Sequence, residues 1–159
     1  MMKKNVAGFV LVVAAFAATM AWGQNKNAEV TDLQALRAAV KADRRALVAA
    51  TLDLTDAQAK KFWPAYDAYQ RAIDASNRTR NLALEGLIAR DTPITDLYAR
   101  NLATELVASD EAEVKARRTL YSRLMRALPA AKAARYLQLE SKIRAVQNYD
   151  LAAGIPLIH

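Results

Sequence analysis

Leu54-Thr55-Asp56-Ala57-Gln58-Ala59-Lys60-Lys61-Phe62 opens a helix, and Leu128-Pro129-Ala130-Ala131-Lys132-Ala133-Ala134-Arg135-Tyr136 repeats its pattern 74 positions later. In the first stretch Thr55 is placed to cap the helix. Gln58, at the third helical position, reaches back to the N–H of the cap, and Asp56 complements the positive helix end. Each stretch sets a leucine just before the helix and an aromatic ring eight positions later, on the inner side of the second turn. Two related helical hairpins forming one domain are the reading that follows.

Outward from these starts, apolar residues recur at three and four, the helical period. A first helix is expected from Thr31 to Thr51, with Leu33, Leu36, Val40 and Leu47 on one side. The second runs from Thr55 through Phe62, Tyr66, Tyr69 and Ile73 towards Arg90. Pro64 lies inside it and predicts a kink, because the bond to the carbonyl of residue 60 is lost. Asp91-Thr92-Pro93 marks a break and restart. The third helix carries Leu97, Leu102, Leu106, Val114, Leu120, Tyr121, Leu124 and Leu128. Pro129 then starts a fourth, with Tyr136, Leu139, Ile143 and Val146 on one face. The tail after Gly154 contains Pro156 and is expected to strap across the bundle. The predicted fold is therefore all-α, with four long helices in two antiparallel hairpins.

The chain begins with a basic Met1-Met2-Lys3-Lys4, an uncharged stretch from Asn5 to Trp22, and Ala21-Trp22-Gly23 with small residues where a signal peptidase reads. This predicts export to a bacterial periplasm with cleavage before Gln24; the alternative is a retained anchor. The single helical domain is then residues 24–159. Taking away Lys3 and Lys4 leaves 21 basic and 16 acidic side chains. Of those 136 residues, 39 are Val, Ile, Leu, Met, Phe, Tyr or Trp and 29 are Ala, enough for close helix packing over a thin core that a second copy would thicken.

Leu-Thr-x-x-Gln at 54–58, its altered repeat at Leu128, the export signal and the all-helical organisation together resemble the CpxP/Spy family of periplasmic stress proteins. That family carries two such motifs. In the second position here only Leu128 is kept, with Pro129 and Lys132 in place of Thr and Gln. The resemblance implies a curved, dimeric four-helix fold without catalysis. It further implies ATP-independent binding of unfolded proteins on a surface combining basic and apolar groups, or restraint of a sensor kinase in the envelope. A zinc-responsive branch fits poorly, since His159 is the only imidazole and Met125 the only sulfur left after cleavage.

The residues themselves exclude much chemistry. There is no Cys, and the one His rules out a Ser-His-Asp triad within the chain. Neither paired carboxylates nor a phosphate-binding glycine loop is found, so no enzyme, cofactor or metal site is expected. Charge is the informative feature. Asp91 to Glu113 holds six acids and one base, whereas Lys115 to Arg144 holds nine bases and one acid, Glu140.

Three readings of that basic run compete. It could be a solvated face paired with Asp43, Asp67 and Asp74. It could recognise something acidic, with Trp63, Arg117, Arg118, Tyr121, Arg123, Arg126, Lys132, Arg135 and Tyr136 as candidate contacts, since Arg binds carboxylates bidentately and stacks on rings. Nucleic acid is the third, and export argues against it. Phe62 and Tyr66 are expected in the core, while Trp63, about 100° round the helix, is the candidate exposed anchor.

Overall fold

The computed structural model describes residues 32–155 and residue 157. The export signal, its cleavage site, Thr31 and His159 lie outside the described residues. Four helices follow in order: α1 (Leu33–Leu52), α2 (Asp56–Ile88), α3 (Asp96–Ala127) and α4 (Ala130–Ala153). No strand occurs among the described residues, and the fold is all-α.

The sequence signals at the helix ends are used with two changes. Thr55 accepts from the Gln58 N–H while the Gln58 side chain accepts from the Thr55 N–H, completing the predicted capping box. Pro129 stands at the N-cap of α4, one position before its predicted place. The start of α3 is not capped by Asp91 or Thr92. Thr95 caps it, accepting from the Tyr98 N–H at 3.3 Å, since the helix begins only at Asp96 and leaves Thr92 outside its first turn.

A further difference lies inside the helices, where Pro64 predicts a kink in α2. α2 runs on as a helix through Pro64. The interruption falls in α1 at Asp43, whose extended backbone (φ −162°, ψ 96°) separates two helical pieces. Its carboxylate then accepts from the Ala46 N–H at 2.9 Å and so recaps the second piece. α1 closes on Asp53 in the left-handed region (φ 46°), a sharp turn into the Leu54-Thr55 start.

The most extensive packing lies between α2 and α3, one helix from each expected hairpin, rather than within either hairpin. Small residues let these two come close. Ser76 donates to the Ser109 carbonyl at 2.8 Å, and Ser109 returns a bond to the Ser76 carbonyl at 3.1 Å. α1 lies along α4, joined by Arg37 to Asp150 at one end and Arg44 to Glu140 further along.

One core holds the parts together: Leu36, Val48 and Leu52 from α1, Phe62, Tyr66, Tyr69 and Ile73 from α2, Leu120 and Leu124 from α3, and Tyr136, Leu139, Ile143 and Val146 from α4. Beyond Ser76 and Ser109 the α2–α3 pair continues as an arm in which Leu84 and Leu102 are still buried, while Leu82, Ile88, Leu97 and Val107 face solvent. Leu33 and Val114, expected on inner faces, are exposed as well. Of the tail, Leu157 is 85% exposed, while Pro156, Ile158 and His159 lie outside the described residues.

Candidate functional site

The two repeated helix starts meet. Lys132 donates to Gln58 Oε1 at 3.1 Å and also to the Asp53 carbonyl, so residues equivalent under the 74-residue offset touch directly. Phe62 and Tyr136, equivalent in the same way, stack edge to face with centroids 5.1 Å apart. Leu128 is buried, and Leu54 packs against the same core. The repeat is thus a packing device in which the Gln-to-Lys exchange adds a charge-assisted bond.

That role removes three residues from the candidate contact surface. Tyr136 has no exposed area, because its ring fills the centre of the core and its hydroxyl donates to Glu140 at 3.2 Å. Lys132 is half-buried and committed to the helix junction. Trp63 is half-buried too. It stands edge-on to Phe62 and Tyr66 at 4.9 and 5.4 Å, and the guanidinium of Arg45 covers its ring at 4.1 Å. Arg45 is held there by Asp67 at 2.6 Å, so the indole offers no free anchor. Phe62 and Tyr66 are core residues as expected.

Glu140, the lone acid of the basic run, has no exposed area. Arg44 donates to both its oxygens, at 2.7 and 2.8 Å. Burial works against the Arg44 charge, but the field and hydrogen bonds of Glu140 outweigh it and raise the guanidinium above its ordinary value. Burial also pushes the hydroxyls of Tyr66, Tyr69 and Tyr136 above their usual range, reinforced for each by the nearby Glu140 charge. Glu113 sits between Arg144 and Arg80 in a second half-enclosed cluster. The arginines that sequence reading overlooked, Arg44 and Arg80, therefore hold the acids inside. Glu140 was detectable in advance, since it falls on the stripe of Tyr136 and Ile143 one helical turn away.

The remaining bases are outside. Arg117, Arg118, Arg123, Arg126 and Arg135 are exposed, as is Tyr121. They do not form one cluster. Arg117 turns towards α4 and donates to Ser141 Oγ at 2.6 Å. Arg118 lies on another side of α3, in a hollow it shares with Val107, Val114, Lys115 and the acids Asp110 and Glu111. Arg123 and Arg126 face the α2–α3 seam, where Lys61 and Lys115 join them. Asp43 and Asp67 do not neutralise this seam: Asp43 caps α1, and Asp67 holds Arg45. Among the described residues, Lys61, Lys115, Arg123 and Arg126 form no ion pair.

The seam itself is an open groove of about 530 Å³ between α2 and α3. Alanines of both helices line it together with the buried Tyr69, Ser76 and Leu120, and a second hollow of about 400 Å³ shares Ala65 and Arg123 with it. Neither is lined by an acid among the described residues. No cluster of three or more acids or imidazoles fit to hold a metal occurs among those residues, and no described helix is long and apolar enough to cross a membrane. The groove can attract and seat an anionic surface; it holds no set of reacting groups. No family model matches this chain, and neither does any curated protein or solved structure.

Proposed function

We propose that this chain is a non-catalytic binding protein of the cell envelope, chaperone-like or stress-adapting in the manner of the CpxP/Spy family it resembles. It holds unfolded or acidic protein partners without ATP and acts as a homodimer. The observation that carries this reading is the division of charge: Glu113 and Glu140 are spent inside on Arg80, Arg144 and Arg44, while Lys61, Arg123 and Arg126 border the α2–α3 groove with no acid in its lining and no ion pair among the described residues. Unscreened like charges attract anionic segments and speed encounter, while nearby Val114, Tyr121 and the alanine groove supply apolar contact. Exposed Leu82, Ile88 and Leu97 on the arm are the surfaces a second copy would cover.

Light scattering from several unrelated unfolding clients, with residues 24–159 added, tests the reading. Suppression near stoichiometric ratios, weakened as salt rises, is expected. An absence of suppression at low and high salt contradicts holdase activity and leaves the adaptor form, binding one acidic envelope protein such as a sensor-kinase domain, to be sought by crosslinking.

A further inference from the structure

The groove between α2 and α3 has a period. On α2, Lys61, Ala65, Ala68, Ala72, Ala75 and Thr79 follow one another at alternating steps of four and three. On α3, Ala112, Ala116, Thr119 and Arg123 keep the same alternation. Steps of four and three put a seam along one face of each helix with the 3.5-residue repeat that packs against another helix. Both seams open to the same side. Ala72, Ala75 and Ala112 are exposed, so nothing within the described chain occupies the face. From Lys61 to Thr79 the seam is about 27 Å long, five turns of helix.

We propose that this groove is a docking site for one amphipathic helix of a partner protein, with an apolar stripe flanked by acidic residues. The proposal deepens the binding reading above and rests on it. Small side chains on both walls let a third backbone approach to about 8 Å, the close end of helix packing, and large residues on the guest fill the space the alanines leave. Charge sets the guest's flanks: Lys61, Lys115, Arg123 and Arg126 border the groove, and no acid lines it among the described residues. The period selects a helix over an acyl chain, which has no repeat to match. Arg123 and Arg126, spaced one turn apart, can each meet a carboxylate on successive turns of the guest.

The test uses residues 24–159 and fluorescent helical peptides of about 20 residues, long enough to span the groove. One carries leucines at alternating four and three spacing with flanking Glu. Its counterparts have flanking Lys, or the acidic composition scrambled. The groove is filled in the double variant Ala72→Trp/Ala112→Trp; both sites are exposed, and circular dichroism checks that the fold is kept.

The acidic helix should bind at low salt, the Lys and scrambled peptides at least tenfold more weakly. Binding of the acidic helix should fall at least tenfold in Ala72→Trp/Ala112→Trp and likewise in Arg123→Glu/Arg126→Glu. Equal binding of ordered and scrambled acidic peptides, or full binding by the filled variant, overturns the proposal. So does self-association that the filled variant abolishes, which gives the groove to a second copy, or capture of anionic vesicles in place of the peptide. Client protection that persists in the filled variant while no peptide binds defeats the groove assignment and leaves the broader reading standing.

Discussion

Glu140 lies in the core with no contact with water, and Arg44 crosses from α1 to meet both its oxygens. Removing one member of such a pair strands the other's charge in a low-dielectric interior. Glu140→Leu is therefore expected to cost about 3 kcal/mol in urea unfolding, and the double variant Arg44→Met/Glu140→Leu to recover most of it. The tyrosines around the pair give a second prediction. Their hydroxyls stay protonated above the ordinary value of 10.0 while the chain is folded, whereas the unfolded chain releases those protons near 10.0. Stability from this source is complete below pH 10 and declines as pH rises beyond it. Tyrosinate absorbance of Tyr66, Tyr69 and Tyr136 should then appear together with loss of helix; a gradual rise in a folded chain would contradict their burial. At this scale the sequence displayed the aromatic cluster plainly. Arg44 was hidden, since a base on an amphipathic helix reads as solvent-facing until its partner helix is known.

Among the elements, the contrast between Pro64 and Asp43 shows what a helix tolerates. Proline costs a backbone bond and crowds the carbonyl one turn back. Here Lys60, Lys61 and Pro64 are all exposed, so water can take the freed carbonyl and α2 carries on. Asp43 breaks α1 with no such covalent reason, because its short carboxylate competes for backbone donors and recaps the chain at Ala46. The capping box at Thr55 and Gln58 was legible because its two halves lie only three residues apart in sequence. The true cap of α3 was not, as Thr92 and Thr95 are equivalent until the path around Pro93 is fixed. Thr55→Ala should cost about 1 kcal/mol and lower the thermal midpoint by roughly 3 °C, since it leaves the Gln58 N–H unpaired. Pro64→Ala should instead be neutral or mildly stabilising in the same thermal scan.

For the whole molecule, the helices and their inner faces could be read from period, but their partners could not. Short connections favour sequence neighbours, and the α2–α3 interface meets that expectation across the boundary between the two expected hairpins, whereas α1 lies on α4, the helix farthest from it in sequence. What decides this lies in small residues: Ser76 and Ser109 bond across the closest approach, and no hydrophobic pattern marks them out. The repeat of Leu54–Phe62 at Leu128–Tyr136, read from the sequence as a sign of two related hairpins, instead marks equivalent positions that meet across the core. Charge was legible as a sum and not as a surface. Nine bases in one run suggested a single patch, but helical turns send Arg117 and Arg118 to different sides from Arg123 and Arg126 and draw Arg144 inward to Glu113.

In the proposed function the outward bases capture clients, while the inward Arg44, Arg80 and Arg144 pair with Glu140 and Glu113. The most direct measurement is light scattering from an unfolding client with the variant Arg117→Glu/Arg118→Glu/Arg123→Glu/Arg126→Glu, alongside its helical circular dichroism. All four side chains are exposed and only Arg117, which donates to Ser141, bonds across helices, so helicity should stay at the level of the original chain. The triple variant Arg118→Glu/Arg123→Glu/Arg126→Glu, which keeps that bond, should behave alike. The account predicts that suppression of aggregation is lost with the fold intact. Undiminished protection by this variant would contradict it.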